Sequence, residues 1–440
     1  MKEPGDDDVS GMAGEFGMSM QRVYGTLFLF VLVMGALLQW VVIPATPWHA
    51  GHGLMAGGDW VSFHVEAVRL AEEIKRIGWQ VWQLRPGGNT PVGIAAAVYA
   101  ATGVHEPWVL LPLNGLLYGL AAAILFDMSI TLSGERCLAL WVVLPMLAFP
   151  SAAMIWGQIH KDVWMLPGSL LILSFWIGIG RAKTIDRSTA WLLARILAGT
   201  LLVWVVRPYA AKIFLLASIV AAAILFIARL REKSLRFAWV GMLVAGLIIQ
   251  LLVIHLPNST PLVVQPTCAT WKQSPPLPLI DSNLAGLACM RELFRTGFPD
   301  AGSNIDTEVA FTNVADIFKY LPRALQISLF APFPNTWLDP AKSEGGGFMR
   351  LIAGAEMLVL YGALTGWLWL PWFSRHDRGV LLAVLGFSIT AVLIYALVIC
   401  NVGTLYRMRY PMMFVWIGLG FIGWRRRYSK YDAPDGRKPS

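Results

Sequence analysis

The sequence predicts an all-α polytopic membrane protein, a bundle of about ten spanning helices. Of its 440 residues, 56% are hydrophobic and only 14% are charged, whereas soluble domains carry roughly 25% charged residues. Several uninterrupted apolar runs reach or approach the ~20 residues that cross a hydrocarbon core. The short connections between these runs carry compact basic clusters, which are typical of cytoplasmic loops.

The chain opens with an acidic tail, residues 1–22, and a first apolar run, residues 23–43. The tail lacks the basic n-region of a signal peptide, and the run is too long for the apolar core of one. We therefore expect a cytoplasmic tail followed by a retained first span.

The first loop, residues 44–90, is far more polar than the runs around it. Within it, the pattern of apolar and charged residues over 65–77 predicts an amphipathic helix lying on the membrane surface. The apolar piece 92–104 follows a turn-rich break that begins at Arg85. This piece is short for a crossing, so we expect a re-entrant or surface helix there.

The remaining apolar runs predict nine further spans: 108–132, 137–156, 163–180, 191–206, 210–228, 237–256, 347–371, 379–400 and 410–424. The chain then divides into a first transmembrane module (23–256), an extracytoplasmic cap (257–346), C-terminal spans (347–424) and a basic cytoplasmic tail (425–440). In the cap, a helix is expected around residues 316–325, kinked or ended by Pro322.

The polar islands, residues 44–90, 158–162, 207–209, 257–346 and 401–409, collect on the side opposite the basic loops. The positive-inside rule makes that side extracytoplasmic. The islands hold four cations where that rule expects few: Lys161, Arg207, Arg407 and Arg409. Positive charge against the topological bias predicts a bound anion. A turn ion pair of Lys161 with Asp162, and snorkelling of Arg207 to the headgroups, are the structural alternatives.

Asp59 is the candidate general base. It follows two glycines, which let the backbone turn sharply and approach a ligand, and a positioned carboxylate can take a proton from an attacking hydroxyl. A helix N-cap is the alternative role for this aspartate. Weaker candidates for substrate contacts complete the set: His64, Glu66, Arg85, Asp162, Tyr209 and Tyr406.

Several other kinds of site are not expected. The sequence contains no nucleotide-binding loop, zinc-ligand spacing or Gly-x-Ser-x-Gly elbow, and its four cysteines include no CxxC pair. The net charge of +8 resides largely in the short loops, so membrane topology explains it better than nucleic acid does. Cys268 and Cys289 share the long loop, where a disulfide and two free thiols both stay open.

The order of these motifs resembles the GT-C superfamily of polytopic membrane glycosyltransferases. The resemblance is strongest to bacterial relatives of protein mannosyltransferases and of the lipid A aminoarabinose transferase. It covers about residues 20–424 and rests on short motifs: Gly57-Gly58-Asp59 with Phe63-His64, Asn89-Thr90-Pro91, Lys161-Asp162, Arg207-Pro208-Tyr209 and Tyr406-Arg407-Met408-Arg409-Tyr410-Pro411. Residues 301–306 and 320–324 are similar to a loop of uncharacterised bacterial members.

This resemblance implies a GT-C-like bundle in a bacterial inner membrane, with the active site on the extracytoplasmic face. It implies inverting transfer of a sugar from a polyprenyl-phosphate donor to a hydroxyl of a glycan or lipid acceptor. Asp59 takes the base role, and the phosphate candidates are Lys161, Arg207, Arg407 and Arg409. Protein mannosyltransferases carry an Asp-Glu pair where this loop has one Asp, so a divalent metal and the role of Glu66 stay open.

Two other functions remain as alternatives. A transporter or flippase for cell-envelope glycolipids would place ionisable residues near the bilayer midplane, often within internal repeats. The charges here cluster at one membrane face and no repeat is visible, which favours the enzyme. An O-antigen polymerase or ligase also has a large extracytoplasmic loop with arginines, and an essential Asp59 would distinguish the transferase from it.

Overall fold

The computed structural model describes residues 19–182, 184–257, 271, 278–297, 299, 301–339 and 346–431. Within these ranges the elements are helices, without a strand. The α-helices are α1 Met20–Leu37, α2 Asp59–Ile77, α3 Thr90–Thr102, α4 Leu111–Ser133, α5 Arg136–Ala148, α6 Ala153–Trp156, α7 Asp162–Arg181, α8 Arg187–Val206, α9 Pro208–Arg231, α10 Phe237–Ile254, α11 Pro278–Gly297, α12 Val314–Phe330, α13 Gly346–Gly366, α14 Arg375–Val398, α15 Val402–Met408 and α16 Tyr410–Tyr431.

Eight helical stretches of the described chain are long and apolar enough to cross a membrane. A ninth would be the pair Arg136–Ala148 and Pro150–Trp156, which bends by 64°. The prediction of a multi-pass, all-α membrane protein is confirmed at this level. The expected span 137–156 is broken, because Pro150 has no N–H to continue the helix. The expected last span is α16, whose apolar part runs into Arg425 and is not among the eight.

The first loop has its own small core, which corrects the expected membrane-surface helix. One face of α2 is buried, with Phe63, Leu70 and Ile74 among its side chains. This face packs against α3 rather than lying free on the bilayer. The helix α3 has 13 residues and ends at Gly103 in the left-handed conformation, which glycine adopts at helix ends. It is shorter than a bilayer-crossing helix, as the sequence predicts.

Two helices of the C-terminal half cross with their backbones in contact. At this crossing α13 contributes Gly366 and α16 contributes Gly420 and Gly423. A Cβ atom on any of the three would overlap the backbone of the opposite helix. Glycine lets two membrane helices approach this closely. The crossing fixes the position of α13 against α16, whose apolar half lies inside the bundle.

The basic loops meet at one end of the bundle. Arg181 pairs with Asp377 and also donates to the carbonyl oxygen of Leu132. Arg229 donates to the carbonyl oxygens of residues 180 and 182, and Arg425 pairs with Glu135. Five connections that are distant in sequence therefore lie on one face.

The described part of the long loop forms two helices that pack against α14. The helix expected at 316–325 is α12, and Pro322 lies inside it rather than ending it. Helix α11 was not predicted from the sequence. Residues 303–305 pair with residues 400–402 through backbone hydrogen bonds. Cys289 is disulfide-bonded, and Cys268 lies outside the described residues.

Candidate active site

Three polar islands meet at the buried carboxylate of Asp162, which begins α7. The Arg207 guanidinium, from the link between α8 and α9, lies 2.7 Å from Asp162 Oδ1. The His160 Nδ1 atom lies 3.0 Å from Asp162 Oδ2. Arg407 of α15 reaches the other ring nitrogen, Nε2 of His160, at 2.7 Å. One carboxylate and one imidazole thus connect two arginines that are 200 residues apart in sequence.

Both ring nitrogens of His160 are engaged. A guanidinium only donates hydrogen bonds, so Nε2 accepts from Arg407, while Nδ1 lies 3.0 Å from Asp162 Oδ2 and 3.1 Å from the backbone nitrogen of the same residue. Burial lowers the pKa of His160; Asp162 opposes this shift, and both arginines add to it. The imidazole is therefore neutral at pH 7, and Asp162 is the one anion facing the two guanidinium groups in this chain of contacts.

Lys161 adds a third cation beside this chain of contacts. Its Nζ donates to Asn89 Oδ1 at 2.8 Å and lies 5.5 Å from the centre of the Phe63 ring. Burial lowers the pKa of Lys161, with Arg207 acting in the same direction and Asp59 and Asp162 opposing. Lys161 thus lies between the buried Asp162 and the first loop, where it contacts Asn89 and Phe63.

Asp59 is exposed at the first turn of α2. Gly58, not Asp59, is the N-cap residue, so the capping alternative does not describe this carboxylate. Gly57 has φ +83°, and a Cβ on Gly58 would collide with the Trp60 ring. The two glycines are therefore required by the local backbone. The Asp59 side chain is open to solvent, one turn before Phe63, whose ring lies 5.5 Å from Lys161 Nζ.

The other first-loop candidates lie apart from this cluster. His64 is buried against α3, where its ring nitrogen contacts the Tyr99 hydroxyl at 3.0 Å. Arg85 donates to the backbone carbonyls of residues 204 and 205 and stacks on the Trp204 ring at 4.2 Å, so it secures the first loop to the end of α8. Glu66 lies two turns along α2 from Asp59 and lines a separate cavity.

Arg409 and Tyr406 occupy a different place from Arg407, which corrects the grouping of these three residues. Arg409 is fully buried and donates to carbonyl oxygens at the end of α12, including that of Ser328 at 2.7 Å. It also contacts the Met357 sulfur. A guanidinium enclosed by protein in this way is a structural support for α12, not a phosphate contact. Tyr209 is exposed in the first turn of α9, two residues after Arg207.

A buried polar network near the cluster was not predicted from the sequence. Glu356, in the middle of α13, accepts hydrogen bonds from the backbone N–H and hydroxyl of Ser151 and from the hydroxyl of Tyr406. Ser151 lies at the break in the bent span, and Tyr406 is the neighbour of Arg407. A single ionisable residue inside an apolar run is costly and is a default functional candidate. That was the available signal for Glu356.

Lowering the pH from 6.5 to 4 is expected to destabilise the first-loop core. The pKa of His64 is lowered from 6.5 to about 4 by burial and by His52, with Glu106 opposing and His105 contributing. Between pH 6.5 and pH 4 the unfolded chain binds a proton at His64 more readily than the folded chain does. The free energy of unfolding is therefore highest above pH 6.5 and falls as the pH drops toward 4. We expect a loss of about 2–3 kcal/mol in thermal unfolding in detergent. A His64→Asn variant should show a weaker pH dependence, and an unchanged one would contradict this account.

Comparisons with known proteins assign no family to the chain. Neither a protein-family model nor any curated protein or solved structure matches it. Among the described residues, no group of three or more His, Cys, Asp or Glu side chains is arranged to hold a metal ion. A function for the chain is therefore inferred from the geometry around Asp59 and Asp162.

Proposed function

We propose that this protein is a membrane-embedded inverting glycosyltransferase of the GT-C type. It moves a sugar from a polyprenyl-phosphate-linked donor to a hydroxyl group of a glycan or lipid acceptor, on the extracytoplasmic face of a bacterial inner membrane. The observation that carries this proposal is the position of Lys161, whose Nζ lies 5.5 Å from the centre of the Phe63 ring, one turn along α2 from the exposed Asp59, and whose neighbour Asp162 contacts Arg207.

The proposed reaction uses the carboxylate and the cations in separate roles. Asp59 removes the proton from the acceptor hydroxyl as its oxygen bonds to the anomeric carbon of the sugar. The bond from that carbon to the phosphate oxygen breaks, and the lipid phosphate leaves with the electron pair. Fixed cations stabilise the charge that accumulates on the leaving phosphate. Attack from the side opposite the leaving group inverts the anomeric centre.

Lys161 and Arg407 are the cations placed to meet the phosphate. Arg207 faces the Asp162 carboxylate, and burial works against its charge while Asp162 holds its pKa above the ordinary value. Arg207 therefore positions Asp162, and Asp162 in turn positions the ring that receives Arg407. The cluster lies at the ends of α7, α8 and α9. A phosphate bound at the ends of these helices leaves its lipid chain among the bilayer tails.

The proposal is tested with purified protein in proteoliposomes and a panel of polyprenyl-phosphate sugars. Release of polyprenyl phosphate, coupled to formation of a glycosylated acceptor with inverted anomeric configuration, is the expected result. Absence of sugar transfer with every donor, from protein that is folded and correctly inserted, would exclude the glycosyltransferase assignment.

Arg407→Ala is expected to raise the KM for the donor by about 10- to 100-fold. A hydrogen bond to a charged group contributes about 1.5–3 kcal/mol, and about 1.4 kcal/mol corresponds to a factor of ten. The measurement is the dependence of transfer rate on donor concentration. Arg425→Ala, which removes an arginine at the opposite end of the bundle, is the matched control. Equal donor KM values for the two variants would remove Arg407 from the site.

Glu356 favours one second candidate, a transporter or flippase for cell-envelope glycolipids. Transporters place ionisable residues within the membrane, at broken helices, and Glu356 meets the bent span at Ser151. Movement of a fluorescent glycolipid across proteoliposomes that lack acceptor distinguishes the two functions. Flipping that is abolished by Glu356→Gln and unaffected by Asp59→Asn would favour transport over transfer.

A further inference from the structure

A cavity lies beside α2, away from the cationic cluster. It has a volume of about 460 Å³ and opens to solvent between α2 and the segment that leads to α3. Its polar lining includes Glu66, Arg69, Glu73 and Gln83. Small-molecule sites typically have volumes of about 300–1,000 Å³, so the cavity is large enough for a ligand.

The polar side chains of this cavity continue a line that starts at Asp59. Asp59, Glu66 and Glu73 are spaced by seven residues, and seven residues are almost two full turns of an α-helix. They therefore share one face of α2, with successive members roughly 10 Å apart. The neighbouring face of the helix, which carries Phe63 and Leu70, is buried. The line connects the candidate base to the cavity.

The next feature of the cavity is the set of contacts that its charged side chains make within the protein. Glu66, Arg69 and Glu73 have the helical spacing at which opposite charges commonly pair. Yet in the described part of the chain none of the three has a hydrogen-bond or ion-pair partner. Glu66 and Glu73 are half-buried, so their carboxylates are only partly hydrated. These groups can bind a ligand without breaking an existing contact.

The donors and acceptors of the lining identify the ligand class. Carboxylates only accept hydrogen bonds, a guanidinium only donates, and an amide does both. A chain of vicinal hydroxyl groups satisfies such a mixture, because each hydroxyl donates and accepts. Two carboxylates against one guanidinium disfavour a phosphate. Apolar Val81 and Val92 in the same wall suit the C–H face of a sugar ring.

We infer that this cavity is the binding site for the saccharide part of the acceptor, an inference that rests on the proposed function. A ligand seated at Glu66 and Glu73 reaches Asp59 only by extending roughly 10 Å along the helix. The acceptor is therefore an extended, uncharged saccharide with its reactive hydroxyl at the Asp59 end. Phosphate recognition remains with Lys161 and Arg407, so donor and acceptor approach Asp59 from different sides.

The test is direct binding of a library of neutral oligosaccharides to the purified protein in nanodiscs, without donor, by saturation-transfer NMR. The strongest binder is then titrated against two variants. Glu73→Ala should weaken its binding by about tenfold, the effect of one lost hydrogen bond of about 1.4 kcal/mol. Glu72→Ala is the matched control, because Glu72 is exposed and does not line the cavity. Gln83→Ala, on the opposite wall, should weaken binding as well.

Each outcome decides the inference separately from the proposed function. Saccharide binding that depends on Glu73 and Gln83 but not on Glu72 supports the cavity as the acceptor site, even if transfer itself is not observed. Equal affinity of all variants, or no binder in the library, overturns the saccharide site even if sugar transfer occurs. Preferential binding of a polyamine such as spermidine overturns the ligand class.

Discussion

Replacing Asp59 with asparagine is expected to lower the rate of sugar transfer by about 10² to 10⁴-fold, the usual contribution of a positioned general base. Asparagine has almost the same shape but cannot take a proton at neutral pH. The fold should be unaffected, because Asp59 is exposed and Gly58 caps α2. The rate is measured at saturating donor and acceptor, so that a change in binding does not enter.

A glutamate on the same helix provides the control for Asp59. Glu72→Gln removes an exposed carboxylate from α2 at a distance from Lys161, and its transfer rate should equal that of the unmodified protein. Donor affinity should also be retained in Asp59→Asn, since the phosphate is held by cations. Full activity of Asp59→Asn would exclude the base role and would direct attention to the buried polar groups instead.

Asp162→Asn is expected to destabilise the protein by about 3–5 kcal/mol, the cost of removing one partner from a buried charge pair. The Asp162 side chain is 4% exposed and that of Arg207 is 11% exposed. Without the carboxylate, Arg207 stays buried next to a neutral amide and the imidazole of His160 loses its negatively charged neighbour. Arg407 then loses its fixed position, so donor binding should weaken in parallel with stability.

The opposite end of the bundle offers a matched ion pair. Asp377→Asn breaks a pair with Arg181 whose side chains are 25% and 28% exposed, and we expect a cost of about 1 kcal/mol or less. The buried thiol of Cys400 is the probe: its labelling by a thiol dye on heating, in a Cys137→Ser background, reports unfolding. Equal labelling midpoints for both variants would show that Asp162 is not a buried structural anion.

Removing both members of the buried pair should recover much of the lost stability. In Asp162→Asn with Arg207→Gln, no uncompensated charge is left in the interior, and replacing a whole buried pair is often close to neutral. Donor binding should not recover, because the support for His160 and Arg407 is still missing. This separation distinguishes a role in positioning the site from a role in folding alone.

Local sequence properties were sufficient to predict most of the spans and the basic end of the bundle. Each span needs about 20 apolar residues, and basic residues collect at one face, so both features are visible in any short window. The break at Pro150 was not predicted, although proline has no N–H to continue the helix. The same local reasoning placed Lys161, Asp162 and Arg207 in one polar region, where the structure brings them together.

Contacts between distant residues could not be predicted from the sequence. Glu356 meets Ser151, 205 positions away, and only the packing of α13 against the bent span creates that contact. The apolar face of α2 fits a bilayer surface as well as it fits α3, so its partner was open. Arg407 and Arg409 were grouped because they are near neighbours. Residues two positions apart on a helix point to nearly opposite sides, which is how the structure separates them.

The close crossing of α13 and α16 fixes how far each helix extends along the other. With backbones touching at Gly366 and Gly420, neither helix can slide along the other without steric overlap. Glu356 lies about three turns from Gly366 along α13. The crossing at Gly366 therefore fixes the position along the helix at which the Glu356 carboxylate contacts Tyr406. Two residues without side chains thereby hold an acidic group in register with the segment that carries Arg407.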